Sequence, residues 1–329
     1  MTLRVGILGA GHMGRTHAEV LARDGRVRIT GVADADDARA RQLASALGAA
    51  ARRDHEALLK DGLDLLVVTT PNRFHAEASL AALGRGVGVL CEKPMAISLP
   101  DARTVCEAAG RPGAFYVVAH NRRHAPVYRH VQGLLREGFA PLLASFRMHE
   151  GDYRTPSWVS DRAVSGGFLY ENLVHFFDLM EWLVAPIAEV SCLARGPLYD
   201  DVNDFVIAAA FAGGALGALT ATGHSTWTPP AESAELVGDH ATILVEGLDR
   251  VRHAPGHEAE VRVKDCAGLP REERWGYRDQ DGEVIEALLA GGRPCFSARR
   301  ALRTIEIAEA CAQAAREGRA VRLGPPPVD

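Results

Sequence analysis

Three short stretches of this chain bring together residue types that could do chemistry. The first is Glu92-Lys93-Pro94, directly after the apolar run Val89-Leu90-Cys91. A lysine ammonium is costly to bury, so its place at the tip of a core strand asks for a use of the charge. Pro94 fixes its own φ and biases Lys93 towards extended backbone. Such a lysine can stabilise developing negative charge on an oxygen or relay a proton; an ordinary loop lysine fits the spacing as well. The second stretch is "GGFLYENLVHFFDLMEWLV" (166–184), with Glu171, His175 and Asp178. Residues four apart on a helix share a face. An acid and an imidazole so placed could move a proton near neutral pH, form a solvated ion pair, or ligate a metal. The flanking Phe168, Phe176, Phe177 and Trp182 argue against solvation, and no second cluster completes a metal site, so no metal is expected. The third stretch is "ILGAGHMG", in which Gly9, Gly11 and Gly14 have the G-x-G-x-x-G spacing. With a strand before it and a helix after it, this loop cradles a diphosphate on unpaired helix N–H groups. Asp34 follows twenty residues later, where an acid accepts hydrogen bonds from an adenosine ribose. A carboxylate there repels a 2′-phosphate, which favours NAD over NADP; Arg39, five residues on, is the opposing feature.

These residues need elements to position them. The first 120 residues alternate nearly continuous apolar runs (3–9, 27–34, 63–70, 87–93, 114–120) with helical stretches (12–25, 36–48, 72–86, 99–110). That alternation predicts an α/β fold: a doubly wound parallel Rossmann sheet covered on both faces. Lys93 would then lie at a strand's carboxyl end, where open α/β sheets bind ligands. Beyond residue 121 the rhythm changes. A helix is expected over 126–138, the long helix over 166–184, and strands over 187–195, 203–211, 215–224, 232–238, 241–246 and 258–264, with short turns between several of them. A last helix over about 297–317 precedes a Pro-rich tail. The expected organisation is a dinucleotide-binding Rossmann domain, 1–121, and an α+β domain, 122–329, with a large, mostly antiparallel open sheet. The C-terminal helix is a candidate to pack back on the first domain.

Composition narrows the class. The 329 residues are 47% hydrophobic and 24% charged, with a net charge of −5. These are values of a globular protein and not of a general nucleic-acid binder. No apolar run approaches the roughly 20 residues that span a bilayer, and the N-terminal apolar run reads as a strand and not as a leader. A cytoplasmic protein without nucleic-acid or membrane partners is expected. The six cysteines (91, 106, 192, 266, 295, 311) form no C-x-x-C pair and read as reduced thiols.

The pieces "VGILGAGHMGRTHA" (5–18), "VVTTPNRFHAEASLAAL" (67–83), "VLCEKPMA" (89–96), "NRRHAPVYR" (121–129) and "SGGFLYENLVHFFDLMEWL" (165–183) together resemble the Gfo/Idh/MocA family of oxidoreductases. The resemblance implies that Lys93 is catalytic or binds substrate, and that the helical acid and histidine, spaced D-x-x-x-H in the family, are Glu171 and His175 here. Glu in place of Asp is a departure. The resemblance further implies that His12, Met13, Thr70, Pro71, Asn72, His75 and Glu92 line the cofactor with the glycine loop. Asn121 and Arg122 are expected at the pocket mouth, and Tyr153, Trp158, Asn172 and Asp178 on the substrate side. A second departure is "SARRALR" (297–303), where many relatives have an acid-glycine pair.

The implied reaction is hydride transfer between nicotinamide and a secondary alcohol or carbonyl of a sugar, inositol or related polyol. His175 has the reference pKa suited to taking the hydroxyl proton, and Lys93 to stabilising the alkoxide; either could take the proton. Glu171 would orient His175 or hold a neighbouring hydroxyl. Two alternatives stay open: a non-catalytic sensor that binds the dinucleotide, or a reductase of a non-sugar carbonyl or dihydrodiol. A homodimer or homotetramer is expected, since an open sheet with one apolar face needs cover.

Overall fold

The computed structural model describes residues 2–152, 154–196, 198, 201–226, 231–292 and 296–326. The chain divides into two compact units. The first runs up to Asn121 and takes in Tyr277–Leu302; the second holds Arg122–Gly276 and the stretch from Arg303 onward. The segment 277–302 groups with the first unit, and the helix it carries packs on the first helix of the chain.

In the first unit, β1 (Leu3–Leu8), α1 (His12–Leu21), β2 (Val27–Ala33), α2 (Asp37–Leu47), β3 (Ala50–Arg52), α3 (His55–Leu59), β4 (Leu65–Val68), α4 (His75–Leu83), β5 (Gly88–Glu92), α5 (Leu99–Ala109) and β6 (Tyr116–Ala119) succeed one another. The six strands form one sheet in the order β3-β2-β1-β4-β5-β6, with every neighbouring pair parallel. This is the Rossmann order, whose direction of winding reverses beside β1 and leaves a ligand crevice at the strands' carboxyl ends. Strands buried on both faces carry apolar residues throughout: Leu65–Val68 and Val89–Cys91 are all 0% exposed. Helix ends follow local chemistry. Asp36 caps α2 by accepting from the N–H groups of Ala38 and Arg39, and Gly48 ends it in left-handed backbone.

The second unit begins with α6 (Pro126–Arg136), β7 (Leu143–His149), α7 (Arg162–Ser165) and α8 (Val174–Leu183). The strands β8 (Ile187–Arg195), β9 (Asp204–Phe211), β10 (Leu216–Thr222), β11 (Glu232–Val237), β12 (Thr242–Glu246), β13 (Arg250–Ala254) and β14 (Arg262–Asp265) follow, then α9 (Arg271–Arg274). The segment that belongs to the first unit carries α10 (Tyr277–Leu289). The chain ends with α11 (Ala298–Glu317) and β15 (Val321–Arg322). Nine strands form a sheet ordered β14-β13-β12-β11-β7-β10-β9-β8-β15. Only β7 and β10 are parallel; the other neighbours are antiparallel. One face is covered, with Phe146 of β7 edge-on to Phe176 of α8. On the other face Leu143, Leu193, Val206 and Leu216 are 49–74% exposed. Among the described residues no helix is long and apolar enough to cross a membrane.

Candidate active site

The glycine loop joins β1 to α1 with the geometry its spacing requires. Gly9 has φ +103°, and a Cβ there would lie 2.5 Å from the Thr69 carbonyl oxygen. A Cβ at Gly14 would collide with the Gly9 carbonyl, so helix and strand approach each other only through glycine. Around Gly11, in contrast, a Cβ would meet nothing within 4 Å. Gly11 caps α1 in extended backbone with no side chain accepting from the helix. The first-turn N–H groups of α1 thus face open space beside a bare backbone, which fits a dinucleotide diphosphate. The Thr69 hydroxyl lies 3.0 Å and 2.9 Å from the carbonyl oxygens of Leu8 and Gly9 and braces the turn.

Asp34 stands at the end of β2. Its Oδ2 accepts from the Ala10 N–H at 2.7 Å and its Oδ1 from the Asp36 N–H at 2.8 Å. Arg39 pairs with Asp34 at 3.3 Å and with Asp36 at 3.1 Å. The acid is therefore tied to the glycine loop, and Arg39 is held by two carboxylates.

The loops after β4 and β5 meet through His75. Its Nδ1 lies 2.8 Å from the Pro94 carbonyl oxygen and its Nε2 2.8 Å from that of Thr70. His75 is 1% exposed and Asn72 is 2% exposed, while Thr70 and Pro71 are half-buried beside them. Burial works against a charged His75, yet the neighbouring Cys91 sulfur and the two carbonyls push its pKa up to about 9. The Lys93-Pro94 peptide bond is cis, and the Lys93 side chain is half-buried.

Glu92 is buried and turns into the unit. His17 of α1 lies between two carboxylates, with Nε2 3.1 Å from Glu92 Oε1 and Nδ1 2.8 Å from Asp281 Oδ2. Burial of this fully enclosed ring opposes charge, but Asp281 and Glu92 together push its pKa up to about 10. Burial would raise the Glu92 carboxyl; the His17 hydrogen bond and charge, aided by Lys93, hold it below its ordinary range. Glu92 Oε2 also accepts from the Lys93 N–H at 3.1 Å. His12 is exposed and Met13 half-buried at the start of α1, with the Tyr277 hydroxyl 3.9 Å from the Met13 sulfur.

In the second unit the helix bearing Glu171 and His175 is not uniform. Gly166 and Gly167 both have φ +87°. Leu169–Leu173 form a π-helical turn before the α-helical α8 begins. Such turns widen the ladder to i→i+5 bonds and recur at functional sites. Glu171 is half-buried on this turn, Asn172 is 9% exposed, and His175, one residue into α8, is 7% exposed. The close approach at Gly167 is to Asp201, whose Oδ2 would lie 2.8 Å from a Cβ there and accepts from the Phe168 N–H at 3.2 Å.

Asp178, one turn further on, receives both Arg123 nitrogens at 2.6 Å and 2.8 Å. Arg122 is 7% exposed and pairs with Glu232 at 2.7 Å. Both groups are thus spent on buried ion pairs. Asn121, 3% exposed, ends the first unit, and Trp158 is half-buried in the loop before α7. Tyr153 lies outside the described residues. His17, Asp281, Arg123, Glu232 and Asp201 were not singled out in the sequence. Only His17, inside "GRTHA", has a local signal; the others find their partners across 33 to 264 residues.

Glycine loop, ribose acid, strand-end lysine and a separate sheet-rich unit with a buried histidine define a dinucleotide-binding α/β protein of two domains. The profile described as "Oxidoreductase family, NAD-binding Rossmann fold" matches residues 3–120, and "Oxidoreductase family, C-terminal alpha/beta domain" matches 143–323. The chain belongs to the Gfo/Idh/MocA oxidoreductase family, and its first domain is the family's NAD-binding Rossmann domain. It is 31% identical over 186 residues to inositol 2-dehydrogenase of Corynebacterium glutamicum, covering 55% of this chain and 54% of that one. The chain thus spans about half the length of the curated relatives it matches. GenD2 from gentamicin A biosynthesis, solved with NAD, is 26% identical with a TM-score of 0.85, over 98% of this chain and 97% of that one. Levoglucosan dehydrogenase, solved with NADH, reaches a TM-score of 0.91 over 98% and 100% of the two chains at 20% identity, a likeness of fold.

Proposed function

We propose that this protein is an NAD-dependent dehydrogenase acting on a secondary alcohol of a sugar, inositol or related polyol. The observation that carries the reading is the pairing, in one chain of this family, of a strand-end Lys93 with a buried His175 beside Glu171. The polyol class is supported by what a relative is called, an inositol 2-dehydrogenase at 31% identity, and NAD by GenD2 from gentamicin A biosynthesis, solved with NAD at 26%.

The residues of the first domain fit the cofactor. The open N-terminus of α1 at Gly11 holds the diphosphate, and Asp34 accepts from the adenosine ribose. Thr70, Pro71 and Asn72 line the nicotinamide end, with His12, Met13 and His75 around them. Bound nicotinamide supplies the hydride chemistry. His175 accepts the proton of the substrate hydroxyl on its imidazole. Lys93 Nζ donates to the same oxygen and stabilises its developing charge. Glu171 orients His175 or holds a neighbouring hydroxyl. Asn121, Arg122, Tyr153, Trp158, Asn172 and Asp178 shape the substrate side, Arg122 and Asp178 through the buried ion pairs they anchor.

The five described cysteines are free thiols, in keeping with a reducing cytoplasm. The exposed apolar sheet face, where Leu143 pairs with Leu216 and Leu193 with Val206, supports a homodimer or homotetramer.

A polyol panel with NAD tests the reading. NADH formation from at least one member is expected. Tight NAD(H) binding with no turnover on any member would favour a sensor, and turnover confined to non-sugar carbonyls would favour a reductase of those.

A further inference from the structure

We propose that His75 and His17 are buried imidazoliums, charged at neutral pH, that clamp the Glu92–Pro94 segment from both sides and so position Lys93. The consequence for turnover rests on the role given above to Lys93; the clamp itself does not.

A neutral imidazole has one N–H and one lone pair, and a carbonyl oxygen can only accept. Both His75 nitrogens face main-chain carbonyls at 2.8 Å, in a site that is 1% exposed. A neutral ring in either tautomer would set a lone pair against the oxygen of Thr70 or Pro94. Only the imidazolium donates twice. His17 reaches the same state by a different route, because both of its nitrogens face carboxylates and its side chain is 0% exposed.

The placement of the two cations is what gives them a role. His17 grips the Glu92 side chain, and Glu92 Oε2 takes the Lys93 N–H. His75 grips the carbonyl of Pro94. The residues on both sides of Lys93 are thereby tied to α1 and to the start of α4, and the Thr70 carbonyl is tied in as well. The groups facing these rings are few. Cys91 lies beside His75, and Asp281, Glu92 and the edge of the Tyr277 ring surround His17. His17, Glu92 and Asp281 together carry one net negative charge, which offsets the Lys93 ammonium next to it. Residues buried to this degree keep a fixed geometry, and that is what a proton-handling side chain needs from its supports.

The full chain with 15N-labelled histidine should show two ring resonances with both nitrogens protonated to at least about pH 8, assigned by His75→Gln and His17→Gln. A neutral tautomer of His75 at pH 7 overturns the proposal. In His75→Gln the Lys93 amide should exchange with solvent at least about tenfold faster while the amides of β4 are unchanged. Uniform acceleration would mean a general stabilising role and would equally overturn it; if that variant does not fold, His17→Gln reads the same pattern from the other side. In turnover, His75→Gln should cost kcat at least about tenfold in wild type and less than about threefold in a Lys93→Ala background, because residues acting through one group are non-additive. Additive losses would contradict positioning. Absence of all turnover would refute the dehydrogenase reading and leave the spectra and exchange rates to decide the clamp.

Discussion

Lys93 and His175 differ in what holds them, and the difference sets what their loss should do. Lys93 extends from a backbone fixed on both sides, and His175 sits two residues past a π-helical turn in a buried helix. Replacing either by Ala removes a side chain proposed to handle the proton without touching the glycine loop. Lys93→Ala and His175→Ala should each lower kcat at least about 100-fold while NADH still binds; fluorescence titration alongside initial rates checks both. Asp34 allows a second prediction at this scale. It holds Arg39 in an ion pair and presents a charge that repels a 2′-phosphate. Asp34→Ser keeps an acceptor for the Ala10 N–H, removes the charge and leaves Arg39 paired with Asp36 alone. The NADP to NAD ratio of kcat/KM should rise at least about tenfold, or about 1.4 kcal/mol. An unchanged ratio would place cofactor choice elsewhere.

At the scale of elements, the junctions between strands and helices carry the function. Gly14→Ala would drive a Cβ into the Gly9 carbonyl and force β1 and α1 apart. Its NAD affinity should fall at least about tenfold, readable by calorimetry, whereas Gly11→Ala, with open space around it, should fold normally and lose affinity only through the ligand it obstructs. The α1–α10 and β5 junctions carry a pH dependence. His17 and His75 have folded pKa values raised to about 10 and about 9 from 6.5. A raised folded pKa contributes stability that is whole below about pH 6.5 and is lost as pH climbs through the folded value. Thermal stability should therefore decline between about pH 6.5 and pH 10, by an amount on the order of a few kcal/mol, and His17→Gln should flatten that slope. A rise in stability over the same range would contradict the buried charges.

These elements were unequally legible in the sequence. The strands β1, β2, β4, β5 and β6 announce themselves as apolar runs, and the loop after β1 by its glycines, because burial on both faces leaves only apolar residues. Strands at or next to an edge give weaker signals: β3, at one edge, is three residues long, and β13, "RVRHA", next to the edge strand β14, alternates charge with apolar residues. Helix α10, "YRDQDGEVIEALL", was missed because it is rich in charge and buries only one side. The π-helical turn at Leu169–Leu173 has no periodic signature, so the expected helix from 166 begins as two left-handed glycines and a wide turn. Lys93 and His175 stood out because each is a costly residue in an apolar setting. Their supports did not, because Asp281 meets His17 across 264 residues.

At the scale of the whole molecule, the open sheet poses the remaining physical problem. Leu143 with Leu216, and Leu193 with Val206, form two in-register pairs left 49–74% exposed on one face. A patch of that kind is normally covered by a partner. Light scattering at micromolar concentration should give at least a dimer, and Leu193→Lys with Leu216→Lys should shift it towards monomer; a monomeric wild type would contradict the covered face. The proposed function rests on Lys93 and His175 each being needed for turnover. The most direct test is NADH formation from NAD and a polyol panel by wild type, Lys93→Ala and His175→Ala side by side. The account predicts steady NADH production by wild type with at least one polyol and a loss of about 100-fold or more in each variant. Wild-type rates in both variants, with NAD bound normally, would contradict it.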